Sequence, residues 1–227
     1  MNRNILLGLA VLGSLAGALV GALPALAQSA PKAGEPLLAQ SPIDPKALAP
    51  RREGDDMVMG LASAPVTIIE YASLTCPHCA NFHADAFPDL KSSYIDKGLV
   101  RFIYRDFPLD RLALHGSMIA RCSGPERYFS FLDAFFKQQR NWALADQSQA
   151  SAAMKRLAKL GGMQEDAFDA CLKNQEVQNE VLAQRLRGER EFEVSSTPTL
   201  IINGQKHRGA ATFQELDKVL KPLVGRS

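Results

Sequence analysis

Apolar and polar residues alternate in distinct regimes along the chain, and each regime predicts a different element. From Ile5 to Leu23 the sequence is unbroken Leu, Ala, Val, Ile and Gly apart from Ser14, whereas from Gln28 to Gly54 no periodicity survives and Pro31, Pro36, Pro42, Pro45 and Pro50 punctuate the run. Val66-Thr67-Ile68-Ile69-Glu70-Tyr71 and Leu99-Val100-Arg101-Phe102-Ile103-Tyr104 are β-branched and nearly all apolar, the pattern of central strands covered on both faces. A helix running to about Tyr94 joins them into a β-α-β unit. Farther on, Thr199 to Ile202 reads as a strand, Asn203-Gly204 as a two-residue hairpin turn, and Gln205 to Arg208 as the returning strand. Thr212 then caps a helix with Glu215 completing a capping box, and Phe213, Leu216, Val219 and Leu220 form its apolar stripe, so this half is β-β-α.

The stretch between the halves is helical. Phe129, Leu132, Phe135 and Phe136 recur at three- and four-residue spacing, as do Met154, Leu157, Ala158 and Gly161. Phe168, Cys171 and Leu172 make a third stripe, and Val177, Val181 and Leu186 a looser fourth. No repeat period relates them, so they are expected to be insertion helices, with Trp142 as a packing residue. The charged run from Arg185 to Glu193 reads most simply as a solvated helix face.

The first regime is an address. Arg3 is the only charged side chain before Lys32, Pro24 ends the apolar run, and Ala25-Leu26-Ala27 places small residues where a signal peptidase reads. This predicts a signal peptide over 1–27 cleaved after Ala27, the alternative being an uncleaved membrane anchor. Residues 28–56 then form an extended, mostly disordered Pro-rich linker. The folded body is expected to divide into 57–108 and 194–227 on one side and an inserted helical domain, 109–193, on the other. Over the 227 residues, 26 Lys and Arg against 24 Asp and Glu leave a net charge of +2, too balanced for a nucleic-acid partner. Export places the thiols in an oxidising compartment, where cysteines persist as disulfides or as redox catalysts.

Those cysteines carry the chemistry. Cys76-Pro77-His78-Cys79 follows the first strand and opens a helix. Unpaired N–H groups and the positive dipole end at a helix start stabilise a thiolate at Cys76, and Pro77 suits a first turn because its missing N–H is not needed there. His78, if cationic or donating a hydrogen bond, would lower the Cys76 pKa further. A stabilised thiolate favours the reduced form and makes the disulfide a strong oxidant. The competing use of C-x-x-C, a zinc half-site, needs two further ligands, and Cys122 and Cys171 come singly. Neither a metal nor an organic cofactor is therefore expected.

With C-P-H-C after a strand, a helical insertion between β-α-β and β-β-α, and Thr197-Pro198 just before the Thr199 strand, the chain resembles the DsbA-like thiol:disulfide oxidoreductases from about Met57 to Val224. The resemblance implies an α/β thioredoxin fold, with Cys76 as exposed nucleophile, Cys79 as buried resolving thiol, Pro198 as a cis-proline facing the site and Thr197 beside it receiving substrate. It places an acidic residue at Glu70, where a carboxyl could carry a proton to or from Cys79. Some relatives hold an acid where this chain has His83. A subgroup carries a second, structural disulfide in the helical domain, which favours Cys122–Cys171 beside Cys76–Cys79 among the three possible pairings.

The function so implied is a periplasmic oxidant introducing disulfides into reduced, unfolded exported proteins, a monomer re-oxidised by a DsbB-like quinone-linked membrane protein. A disulfide isomerase or reductase is the rival enzyme, since Thr197 occurs in such relatives. An exported chaperone or metal-binding module is the rival of another class.

Overall fold

The computed structural model describes residues 43–225 apart from Glu53, Ala145, Gly209 and Ala210. The predicted signal peptide and the first part of the predicted linker lie outside the described residues.

A five-stranded sheet of order β1-β3-β2-β4-β5 forms the centre. Strand β2 (Val66–Ala72) lies parallel to β3 (Val100–Asp106), with Glu70 opposite Tyr104, and antiparallel to β4 (Thr199–Ile202). Strand β4 turns through Asn203-Gly204 into the short β5 (Gln205–Lys206), and β1 (Met57–Met59), which the periodicity did not single out, closes the other edge against β3. Between β2 and β3 the chain is helical from Pro77 to Ile95. It begins as α1 (Pro77–Asn81), widens into a π-helical turn at Phe82–Ala86, and continues through α2 (Phe87–Leu90) into a second π-helical turn at Lys91–Ile95. Six helices separate β3 from β4, namely α3 (Arg111–Cys122), α4 (Pro125–Lys137), α5 (Gln139–Trp142), α6 (Gln147–Leu160), α7 (Glu165–Lys173) and α8 (Gln175–Phe192). Helix α9 (Phe213–Val224) follows β5, and its Thr212 hydroxyl accepts the Glu215 N–H as a capping residue should. This is a thioredoxin fold with a helical insertion.

Strand alternation gives the sheet two buried faces. Ile68, Phe102, Tyr104, Leu200 and Ile202 pack into the larger core with the helices, while Ile69, Tyr71, Ile103 and Ile201 join Phe107, Phe192 and Val194 on the other face.

Across that second face the expected spacer is corrected. Residues 43–56 are not a free linker over their described part, because a one-turn helix, Pro45–Leu48, is strapped to the sheet and Ile43 and Leu48 pack against its apolar face. The Ile43 N–H donates to the Gly204 carbonyl at 2.6 Å, and a Cβ on Gly204 (φ +82°) would sit 2.7 Å from the Ile43 oxygen. Arg105, 1% exposed, anchors the strap, its guanidinium donating to both Asp56 oxygens at 2.8 and 2.9 Å, to the Tyr71 hydroxyl and to the Leu48 carbonyl. Fully partnered in this way, a buried guanidinium is tolerable; unpaired it would not be. The strap also revises the solvated face predicted over Arg185–Glu193, since Arg187 donates to the Ala47 carbonyl and Gly188 lies buried against the Tyr71 ring.

Candidate redox site

The site grows from the end of β2. After Ala72 the chain turns through Ser73-Leu74-Thr75, and the Cys76 N–H bonds the Ser73 carbonyl at 3.1 Å. Cys76 is the N-cap of α1, with extended backbone (φ −76°, ψ 119°), and Pro77 occupies the first turn. The N–H groups of His78 and Cys79 therefore have no partner within the helix and face the Cys76 sulfur. Gln139 fixes the loop from the other side, its Nε2 donating to the Leu74 carbonyl at 2.8 Å and the Cys76 carbonyl at 3.0 Å.

Cys76 and Cys79 are both reduced here. The Cys76 thiol is held at about 5, chiefly because the Cys79 thiol donates to it; burial opposes this, and the Thr197 side chain and the N–H groups of Cys79 and His78 assist. As a thiol, Cys76 donates to the Thr197 carbonyl at 3.3 Å. Once ionised it can only accept, and the Thr197 hydroxyl, buried and with no hydrogen-bond partner in the thiol form, becomes the available donor. Cys79 is pushed far above the ordinary thiol range, first by burial, then by the proton it shares with Cys76, then by the charge of Glu70. One sulfur is made to ionise and its neighbour to keep its proton.

Two expectations need adjusting. Cys76 is only 5% exposed against 0% for Cys79, so an attacking thiol meets one edge of a sulfur that the Thr197 loop largely covers. His78 contributes its main-chain N–H to Cys76, while its side chain lies at the exposed surface with that of Pro77.

Thr197-Pro198 is a cis peptide beside Cys76. Glu70, inside β2, is completely buried; its Oε2 lies 2.8 Å from His83 Nε2, and its Oε1 has no hydrogen-bond partner. Cys122 and Cys171 are joined by a disulfide of 2.08 Å that ties the end of α3 to α7, with Cys171 in a small apolar cluster with Met118 and Val181. The structure thus brings Cys76, Cys79, Pro77, His78, Glu70, Thr197 and Pro198 around one helix start and sets Cys122–Cys171 in the helical insertion. The sequence did not reveal the parts of Gln139 and His83. For Gln139 the available signal was a polar residue standing between the apolar Phe135-Phe136 and Trp142; for His83 it was a histidine one turn after Cys79 where some relatives hold an acid. Among the described residues no three His, Cys, Asp or Glu side chains are grouped to hold a metal ion, and no helix is long and apolar enough to cross a membrane.

Residues 52–222 match a protein family described as Thioredoxin. A Rickettsia bellii protein named as a protein-disulfide oxidoreductase is 30% identical over 151 residues, covering 66% of this chain but only 58% of its own length. The structure of Wolbachia pipientis alpha-DsbA1 superposes with a TM-score of 0.73 at 30% identity, covering 80% of this chain and 96% of the other. Oxidised BdbD from Bacillus subtilis (TM-score 0.65, 21% identity, 75% of this chain and 94% of the other) shares the fold. The chain belongs to the thioredoxin family, within its DsbA-like thiol:disulfide oxidoreductases.

Proposed function

We propose that the protein is an exported thiol oxidant that inserts disulfides into reduced, unfolded proteins in the periplasm after removal of residues 1–27. The observation that carries this reading is the geometry at α1: Cys76 is the helix N-cap, where the Cys79 thiol first and the main-chain N–H groups of Cys79 and His78 after it hold its pKa at about 5, beside a buried Cys79 pushed well above the ordinary thiol range. A thiolate stabilised in the reduced enzyme makes that enzyme a good leaving group and its disulfide oxidising.

In the forward reaction a substrate thiolate attacks the Cys76 sulfur of the Cys76–Cys79 disulfide. The mixed disulfide forms as the Cys76–Cys79 bond breaks, and Cys79 leaves as a thiol, taking a proton for which Glu70 is the nearby carboxyl. A second substrate thiolate then attacks the substrate sulfur of the mixed disulfide and expels Cys76 as the thiolate. Two electrons pass from substrate dithiol to enzyme disulfide. Thr197, whose carbonyl already touches Cys76, is placed to pair its main chain with an extended substrate, which reads no side chains and so accepts many sequences. Re-oxidation falls to a DsbB-like quinone-linked membrane partner, and the protein works as a monomer.

The equilibrium constant with glutathione tests this. A potential near the ~ −120 mV of strong oxidants is expected, with rapid oxidation of a reduced unfolded substrate. A potential near the ~ −270 mV typical of a reductant would instead establish the reductase or isomerase reading.

A further inference from the structure

The forward reaction leaves a difficulty for the return. To re-form the disulfide, Cys79 must lose its proton in a site where burial and two neighbouring negative groups all hold that proton on. A base has to be within the core itself. Glu70 has the right chemistry, completely buried and with Oε1 free of any hydrogen-bond partner, but only a carboxylate can take a proton, and a buried charge needs a hydrogen-bonded partner.

His83 bears on this. We propose that His83 is a positioning residue for the re-oxidation step, donating from Nε2 to Glu70 Oε2 so that the carboxyl stays ionised and its Oε1 is left to take the Cys79 proton. The inference rests on the oxidoreductase reading above. The two atoms are 2.8 Å apart, and in this proposal the imidazole carries its proton on Nε2, the form that an ionised carboxylate, which can only accept, requires. The imidazole is held in place by aromatic rings, stacked on Phe136 at 4.3 Å between centroids and 18° between planes, and flanked by Phe87 at 4.8 Å, Phe82 at 5.3 Å and Tyr104 at 6.1 Å. At 8% exposure it serves no surface role.

The remaining titratable groups around Glu70 leave this task to His83. From α1 comes Cys79, the proton's origin. Across the sheet, β3 contributes Tyr104, Glu70's register partner, and α4 contributes Tyr128; burial pushes both phenols upward, so neither gives up a proton readily. Asp106 at the end of β3 is committed to Arg121 at 2.7 Å. His83 is the hydrogen-bond partner that the structure gives to Glu70.

The step balances as follows. The Cys76 thiolate of the reduced enzyme attacks an external disulfide, forming Cys76–S–S–R and releasing one thiolate. Cys79 passes its proton to Glu70 Oε1, its sulfur attacks the Cys76 sulfur, the Cys76–Cys79 bond forms and the second thiolate leaves. The dithiol loses two electrons to the external disulfide, and the Glu70 proton returns to solvent.

The test mixes reduced protein with oxidised glutathione across pH and follows, by acid quench and mass measurement, first the mixed disulfide and then its loss. In His83→Phe, which keeps the aromatic packing, the loss step should slow about tenfold at neutral pH, less than the full ~10²- to 10⁴-fold that a positioned base supplies. Its pH profile should move upward, because the buried carboxylate has lost its hydrogen-bond donor. Alkylation of Cys76, which needs no proton from Cys79, should stay within about twofold. His83→Gln carries an N–H at nearly the reach of Nε2 and should recover most of the rate; His83→Asn, too short, should not. If His83→Phe fails to fold, the Gln and Asn pair decides. Glu70→Gln should slow the same step, and the double variant should be no slower than the worse single one. An unmoved pH profile, or losses that multiply, overturns the His83 inference alone. A wild-type protein that never forms the mixed disulfide overturns it together with the oxidoreductase reading.

Discussion

The molecule holds two pairs of cysteines in environments that make opposite demands on sulfur. Cys76 and Cys79, with Pro77 and His78 between them, share one helix start, where main-chain N–H groups, the Thr197 loop and Gln139 converge and the two thiols lie in very different fields. Cys122 and Cys171 come from the ends of two helices, 49 residues apart, and Cys171 is surrounded by Met118 and Val181. A bond between the first pair closes almost no loop, so it adds little constraint to the unfolded chain. A bond across the second closes a long loop between packed helices and lies in a small apolar cluster. Chain separation and local field, more than the sulfur itself, separate a redox device from a staple.

The largest effects should come from deleting one pair or the other. Cys76→Ser is expected to abolish disulfide transfer while leaving the fold intact. Cys122→Ser with Cys171→Ser should do the reverse, keeping transfer within about twofold and lowering stability by roughly 4 kcal/mol, the chain-entropy value for a loop of that length. Parallel rates of substrate oxidation and denaturant midpoints would check both. If transfer vanished in the Cys122/Cys171 variant while it remained folded, the division between the pairs would be wrong.

Next in size is the field at Cys76. Thiolate absorbance of the reduced protein should titrate with a midpoint at about 5, and that transition should be missing in Cys76→Ser. The sign for stability follows. A thiol whose folded value lies below its unfolded one stabilises the folded reduced protein fully above the ordinary thiol range, progressively less as pH falls, and not at all below about 5. The stability of the reduced form relative to the oxidised form should therefore rise with pH between about 5 and the ordinary thiol range. A flat difference over that window would remove the thiolate from the account.

Much of this was legible in the sequence because it was written in local pattern. The β-α-β and β-β-α halves follow from strand runs bounded by turn signals, and the position of Cys76 as a helix N-cap follows from a strand, a short turn and a proline. What was not legible depends on single polar residues meeting across long separations. Arg105 and Asp56 belong to different predicted segments, one just past the end of a strand and one in a supposed linker, and only the folded sheet brings them to 2.8 Å. Proline content predicted disorder for 28–56, yet in its described part Ile43 and Leu48 pack on the sheet and Arg105 satisfies the Leu48 carbonyl. His83 was visible as an unusual residue one turn after Cys79, but its partner is set by a π-helical turn, Phe82–Ala86, that no apolar periodicity announces. Gln139 failed to stand out because its targets are carbonyl groups, which every sequence supplies.

The smallest predicted effects test how the redox loop is held. Gln139→Met keeps the volume but leaves the Leu74 carbonyl without this donor and weakens the hold on Cys76, and a loss of about 1–3 kcal/mol is expected for buried acceptors left short. Thr197→Val should do less to stability and act on the thiolate instead. The Thr197 hydroxyl is buried beside Cys76 and is one of several donors available to the ionised sulfur, ranking behind the Cys79 thiol. A hydrogen bond to a charged group is worth about 1.5–3 kcal/mol when it stands alone, and one unit of pKa corresponds to about 1.4 kcal/mol. Since the main-chain N–H groups and Cys79 remain, the Cys76 midpoint should rise by about one unit or less in Thr197→Val, with the Tm of the oxidised protein nearly unchanged. The same ultraviolet titration reads it. A midpoint that stays at about 5 would mean that Thr197 meets Cys76 only through its carbonyl, and that the helix start and Cys79 alone keep the sulfur ionised.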